Sequence, residues 1–298
     1  MTAALTPRHA LLALAVVAVW GTNFVVIKLA LAHLPPLLFA TLRFTLAAFP
    51  GVFLLRRPKV PLALLAGYGI LIGVGQFGLL FIAIDGLIAP GLASLVVQSQ
   101  VFFTIGLAVW LSGERPRAVQ LVALALGASG IAVIGANTGG ATSLAGIGLV
   151  LAAAASWASG NMVQRRSVGV DMLAYVVWAS LFAVPPLFLL SLGIEGAPAM
   201  IAGVRGASLT TWAAVAWQAA GNTMFGYGAW GFLLTRYPAA TVAPWSLLVP
   251  VFGMGAAAWW LAEPLPGWKL AAGALVLGGL GLNLLWPRFT RFWLTLEA

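Results

Sequence analysis

The sequence predicts an all-α integral membrane protein: ten transmembrane helices arranged as two inverted five-helix repeats around a central cavity. Three observations predict it. Apolar residues make up 62% of the chain and charged residues only 7%, whereas a soluble domain carries roughly a quarter charged residues. The apolar residues fall into ten runs long enough to cross a bilayer, which takes roughly 20 residues at the helical rise. Landmarks in the first five runs recur in order in the second five.

Cutting the chain at charges, prolines and polar clusters places the first five spans at about 9–29, 36–55, 62–84, 89–112 and 118–136. The second five lie at about 144–163, 172–192, 209–234, 240–262 and 268–286. Arg8 ahead of an apolar run has the look of a signal peptide. The run continues to about Ile27 with no small-residue cleavage site, so it reads as an uncleaved first span. Spans four and five, and spans nine and ten, are joined by only a few residues and form antiparallel hairpins.

Lys and Arg give the orientation. With the N-terminus in the cytoplasm, the cytoplasmic set is Arg8, Arg56, Arg57, Lys59, Arg115, Arg117, Arg165, Arg166, Arg236, Arg288 and Arg291. The other side receives Lys28, Arg205 and Lys269. Eleven against three is the bias expected of a multi-pass protein with both termini cytoplasmic. The same scatter in ones, twos and threes argues against nucleic-acid binding despite a net charge of +9.

The small, polar connector at 137–143 separates a first repeat, residues 1–137, from a second, residues 138–298. Glu114 and Glu263 hold matching places in the hairpins at 113–117 and 262–267. Trp20 matches Trp157, and at the same offset Lys28 matches Arg165. VALALGASGIAVIG in span five matches AAGALVLGGLGLNLL in span ten. Five is an odd number, so the halves have opposite orientation, a recurrent basis for alternating-access transport with substrate near the repeat interface.

Small residues inside the spans let helix backbones approach where lipid offers no hydrophobic drive. Gly127, Gly130, Gly273, Gly278 and Gly281 read as such packing positions. Polar side chains are more informative, because each is costly in lipid unless it is paired or faces a wet cavity. They concentrate in spans one, three, four, six, eight and nine. The candidate substrate-binding set is Trp20, Asn23, Gln76, Ser94, Gln98, Gln100, Trp157, Asn161, Trp217, Asn222, Tyr227, Trp245 and Ser246, with Thr22, Ser99, Ser156, Ser159 and Gln218 nearby. Any single Asn or Gln among them can equally be an interhelical hydrogen bond. Trp110, Trp259, Trp260 and Trp286 read as interfacial anchors. Spans two, five, seven and ten read as peripheral, except for Arg43.

Arg43 lies about seven residues into span two, roughly 10 Å deep. It can snorkel outward, bind helix-end carbonyls or meet a carboxylate substrate. Pro244 and Pro250 each remove a backbone donor from span nine, making them hinge candidates, a source of free carbonyls, or a simple kink.

The six acids, Asp85, Glu114, Asp171, Glu195, Glu263 and Glu297, map to loops or span ends. Proton- and sodium-coupled carriers commonly place a carboxylate in mid-membrane, so coupling here is expected to be weak, absent or unusual. The chain has no cysteine and only two histidines, His9 and His33. Thiolate catalysis is excluded, and neither a metal site nor a cofactor is expected.

The opening WGTNFVVIK, the LRF around Arg43 and the GER at 113–115 resemble the drug/metabolite transporter superfamily, EamA type, across essentially the whole chain. RPKVPLALLAGYG, GQFGLLFIAI, GLASLVVQSQVFFTI and VAPWSLLVPVFG look like the bacterial inner-membrane exporters of O-acetylserine and cysteine and related aromatic amino-acid exporters. The resemblance implies export of amino acids and close metabolites by alternating access through a central cavity. The superfamily often carries a proline near position 101, mirroring Pro250, where this chain has Val101. Side-chain amides can donate to a carboxylate and accept from an ammonium, so a broad range of neutral and aromatic amino acids is expected. The partners implied are these small molecules and membrane lipid, with a monomer sufficient. Efflux of lipophilic drugs or other metabolites is the alternative within the superfamily. A membrane enzyme or assembly subunit is the alternative outside it.

Overall fold

A computed structural model describes residues 5–112, 117–167 and 169–296; Glu114, with the rest of the GER motif, and Glu297 lie outside them. Among the described residues the regular structure is helical, apart from an isolated bridge between Gly139 and Thr142 in the connector. Eight helices are long and apolar enough to cross a bilayer. They are α1 (Pro7–Ala30), α2 (Pro36–Leu54), α3 (Leu62–Ile84), α4 (Pro90–Leu111), α5 (Ala118–Ala136), α6 (Leu144–Gln164), α7 (Met172–Glu195) and, after two further stretches, α10 (Gly267–Leu296). Those stretches, α8 (residues 209–236) and α9 (residues 239–260), are helical throughout but carry more polar residues or prolines and fall outside the eight.

Local chemistry sets the helix starts. Pro7, Pro36 and Pro90 occupy first-turn positions, where a missing N–H costs nothing. Elsewhere a side-chain oxygen takes an otherwise unpaired amide: Ser143 accepts from Gly146 N at 3.0 Å, and Asp171 from Leu173 N at 2.9 Å.

Hydrogen bonds define two ends of the bundle. At one, His9 Nδ1 meets Tyr237 Oη at 2.7 Å, Trp178 donates to Leu55 O at 3.0 Å and Tyr175 to Leu64 O at 3.1 Å. This end also carries Arg56, Arg57, Lys59, Arg165, Arg166 and Arg236, and is called the basic end below. The opposite end has its own ties. Lys28 donates to Ile84 O at 3.2 Å, and Thr211 Oγ1 meets His33 Nδ1 at 2.9 Å. Glu195 accepts from Leu37 N at 2.6 Å and Leu38 N at 3.0 Å, capping α2. Glu263 accepts from Gly91 N at 3.0 Å, at the start of α4, and from Lys269 at 2.8 Å. Beside these, burial raises the pKa of Asp85 above the ordinary carboxylate value; Lys28 opposes the shift and Glu195 adds to it.

The helix pairs follow an exchange rule. α2 packs on α7, α4 on α9 and α5 on α10. The contact of α1 with α9 has its counterpart in α6 with α4, and that of α1 with α8 in α6 with α3. Likewise α3 meets α7 as α8 meets α2.

The structure corrects one expectation. α5 and α10 are peripheral, with 22% and 33% of an 18-residue apolar stretch buried in each, but in α2 and α7 the corresponding shares are 56% and 44%. Lipid and protein neighbours are equally apolar, so composition does not distinguish a lipid-facing helix from a central one. The apolar face of α2 packs on α3 through aromatic rings, with Phe39 and Phe81 stacked at 4.7 Å and Phe44 and Phe77 edge-on at 5.7 Å.

Between α5 and α10 the backbones come close at Gly130, Gly127 and Gly279. A Cβ on Gly130 would meet Val276 at 2.6 Å, and one on Gly279 would meet Ala123 O at 2.5 Å. Gly127 is closed by the ring of Phe102, while Gly278 faces open space. Overpacking of this kind costs about 1–3 kcal/mol. Gly279→Val should therefore lower the unfolding temperature of the purified protein in detergent, and Gly278→Val should leave it unchanged. Equal effects would show that α5 and α10 are not packed this closely.

Candidate functional site

Four helices are interrupted in mid-span, in two matching pairs, and α7 ends in a further π turn at Ser191–Glu195. α3 widens to a π-helical stretch at Ile70–Gly78, and α8 does so at Gln218–Phe225. α4 tightens to a 3-10 turn at Val97–Ser99, and α9 does so at Ala243–Leu248. Pro244 opens the tight stretch of α9, and Pro250 opens the α-helix after it. The tight turn of α4 forms with Val101 at the matching place, so proline is not required for it.

Interruption frees backbone acceptors, and side chains from neighbouring helices take them. Trp20 Nε1 of α1 donates to Asn222 O in the π stretch of α8 at 3.2 Å. In the other half Ser156 Oγ of α6, next to Trp157, donates to Leu71 O in the π stretch of α3 at 2.8 Å. Pro250 has no N–H to offer Ser246 O four residues earlier. Val249 N reaches that carbonyl from the tight turn, and Gln98 Nε2 of α4 reaches it at 3.3 Å. Gln100 Oε1, two residues on, accepts from Asn161 Nδ2 of α6 at 3.3 Å.

The structure thus brings together Trp20 with Asn222, Gln98 with Ser246, and Gln100 with Asn161. Tyr227 joins the first group, its ring 5.8 Å from that of Trp20, which in turn lies 5.2 Å from Trp230. Asn23 and Gln76 are buried, and Asn23 Oδ1 and Gln76 Oε1 have no partner. Trp157 and Trp245 pack half-buried against the main core. Ser94 is different. It is wholly buried, donates to Gly91 O at 2.6 Å and fills the space over Gly253, which makes it a contact between α4 and α9. Trp217 also stands apart, 40% exposed with its ring over Gly221 of its own helix.

Exposure is graded along the site. Residues 90–99 of α4 are buried without exception, as are Val249 and Pro250 of α9. Gln100, Trp157, Asn161, Trp20, Tyr227, Trp245 and Ser246 are half-buried, and all lie on the basic-end side of those positions. An apolar cleft lined by Phe102, Ile105, Val109, Gln120 and Leu124 opens between α4 and α5 and contains none of the candidate residues. No cluster of three or more His, Asp or Glu that could hold a metal occurs among the described residues.

Three polar groups of this region are absent from the candidate set. Gln218 is fully buried with both amide atoms unpartnered. Thr223 Oγ1 donates to Gln218 O at 2.9 Å, and Arg43 Nη2 lies 3.5 Å from Thr223 Oγ1. The available sequence signals were the glycines around each π stretch, in GQFG and GNTMFG, and the isolated Arg43.

The pattern that defines the EamA-like transporter family matches residues 8–136 and, separately, residues 144–285. The chain belongs to this family. Two relatives share most of its length. It is 44% identical over 290 residues to a probable amino-acid metabolite efflux pump of Salmonella typhimurium, covering 95% of this chain and 97% of that one. It is 43% identical over the same shares to a probable amino-acid metabolite efflux pump of Escherichia coli. A crystal structure 20% identical to it superposes with a TM-score of 0.64 over 96% of this chain and 99% of the other, a likeness of fold. For this EamA-type chain the two matched stretches abut at the connector after Ala136.

The double role of Ser246 O is testable. Gln98→Ala removes one donor to it and should cost about 0.5–1.5 kcal/mol. In a Pro250→Ala background the restored N–H takes up that acceptor, so the loss on adding Gln98→Ala should shrink. Equal losses in both backgrounds, measured by thermal unfolding, would show that the two donors do not share one carbonyl.

Proposed function

We propose that the chain is a bacterial inner-membrane exporter of amino acids and related metabolites, working by alternating access. Its substrates are neutral and aromatic amino acids together with compounds like cysteine and O-acetylserine. The observation that carries this reading is the meeting of uncharged polar groups at interruptions in helices of both halves: the side chains of Trp20 and Gln98 on the backbone carbonyls of Asn222 and Ser246, and the side chain of Gln100 on that of Asn161. Amides, hydroxyls and indole N–H groups suit a zwitterion of variable side chain, since between them they both donate and accept hydrogen bonds. The names carried by the two bacterial relatives agree with it.

The reading has ten spans, α1–α10, as two inverted repeats, residues 1–137 and 138–298, with both termini in the cytoplasm. Three findings support it. The family pattern matches once on each side of the connector. The helix pairs exchange consistently when α1–α5 are swapped for α6–α10. The π and 3-10 stretches fall in corresponding helices. The excess of Lys and Arg makes the basic end cytoplasmic. Links by Glu195, Glu263 and Lys269 hold the opposite end, and the half-buried candidate side chains lie toward the basic end, which supports an inward-facing conformation. Pro244 and Pro250 flank the segment of α9 whose movement would reopen the other side. Gln76, Asn23, Trp157, Tyr227 and Trp245 complete the walls; Ser94 and Trp217 contribute least. The chain acts as a carrier rather than an enzyme.

Transport in proteoliposomes tests this directly. Threonine, methionine, cysteine and phenylalanine should all move down their own gradients, with at most a weak response to an imposed pH gradient. Failure of all four to move would overturn amino-acid export, and strict dependence on the pH gradient would overturn the weakly coupled mechanism. Asn161→Ala should lower the rate at unchanged membrane insertion.

A further inference from the structure

Arg43 is the most unusual charge in the molecule. Its side chain is 1% exposed, so it neither snorkels to an interface nor reaches water. The guanidinium carbon lies 3.5 Å from the ring centroid of Phe77 and 5.1 Å from that of Phe44. Nη2 is 3.5 Å from Thr223 Oγ1, at the outer limit of a hydrogen bond, while Nε and Nη1 have no partner at all. Among the described residues the ion pair found is Lys269–Glu263, and Asp85, Asp171, Glu195 and Glu263 all sit at helix ends or in loops. A guanidinium remains protonated in proteins, and a buried charge without a counter-ion is strongly unfavourable. Among the described residues no carboxylate pairs with it.

The surroundings are those of a ligand site. Phe77 lies in the π stretch of α3 and Thr223 in that of α8, and such stretches recur at functional sites. Gln76, next to Phe77, presents an unpartnered Oε1, and Gln218, whose carbonyl accepts from Thr223, presents an unpartnered amide. Tyr227, one turn from Thr223 toward the basic end, is half-buried beside Trp20. The matching helix has no counterpart of this charge. α7 carries no charged side chain between Met172 and Leu190.

We propose that Arg43 recognises the carboxylate of the transported amino acid, and that it makes the carrier select α-carboxylates over the corresponding amides. This rests on the reading of the chain as an amino-acid exporter. The substrate carboxylate takes the free Nε and Nη1 as a two-point contact, a geometry that guanidinium matches and ammonium does not. The orphaned amide oxygens of Gln76 and Gln218 supply acceptors for its ammonium group. The side chain of the substrate is left unselected, consistent with broad specificity, while a free carboxylate is required of all.

The test is uptake of labelled phenylalanine into proteoliposomes, with unlabelled phenylalanine and phenylalaninamide as competitors, on wild type, Arg43→Gln and Arg43→Lys. In wild type the amide should compete about ten- to a hundredfold more weakly, the scale of a lost charge-assisted hydrogen bond. In Arg43→Gln the affinity for phenylalanine should fall by a similar factor while that for the amide stays level, so the discrimination approaches one. Arg43→Lys should fall between, keeping the charge but losing the two-point geometry. A folded Arg43→Gln protein with unchanged discrimination would overturn the proposal and leave Arg43 as a tie between α2, α3 and α8. Should Arg43→Gln not fold, unchanged discrimination in Arg43→Lys does the same. Wild type that takes up no amino acid overturns the exporter reading itself, whereas wild type that takes up phenylalanine but competes equally with the amide overturns only the role of Arg43.

Discussion

Every backbone N–H and C=O inside a bilayer has to find its partner within the protein, and this one constraint organises the molecule. It makes the chain helical and fixes what happens where a helix departs from its regular ladder. At those departures a carbonyl is released and a side chain from another helix takes it. Trp20 serves Asn222 O, Ser156 serves Leu71 O, and Gln98 serves Ser246 O beside Pro250. The polar side chains that make this chain unusual for a greasy protein are therefore the complement of its broken helices. Once positioned to satisfy backbone, they are also gathered where the proposed substrate path would run.

The two halves obey the same constraint in the same places, which gives the site its doubled form. α3 and α8 widen, α4 and α9 tighten, and each is met by a partner from the other half. The ends differ, however. Glu195 and Glu263 cap the starts of α2 and α4 at one end, and among the described residues no carboxylate caps a neighbouring helix at the basic end. Charge is also distributed unevenly, since Arg43 lies in α2 and nothing charged answers it in α7.

Much of this was legible in the sequence. Run lengths and the placement of Lys and Arg define the helices and their ends, because both follow from bilayer thickness and the cost of buried charge. The pairing of polar positions with prolines in α9 pointed to Ser246 and Pro250, and the match of Trp20 with Trp157 pointed to the two halves. Other features were hidden for physical reasons. The central position of α2 and α7 leaves no compositional trace. Nothing in residue type separates Ser94, which packs on Gly253, from Ser246, whose carbonyl meets Gln98. Gly278 and Gly279 are neighbours in the chain, yet only the second faces Ala123 O. The π stretches depend on how α3 and α8 are gripped by neighbours, so Gln218 and Thr223 gain their importance only in three dimensions.

The central claim is that a path for substrate runs from the basic end to the interrupted helices. Because the chain contains no cysteine, a single one placed at Ser246 reports on that path without background. In inverted and right-side-out vesicles, Ser246→Cys should react with a membrane-impermeant thiol reagent from the cytoplasmic face, and added phenylalanine should slow the reaction. Labelling only from the opposite face, or labelling that no amino acid alters, would contradict the account.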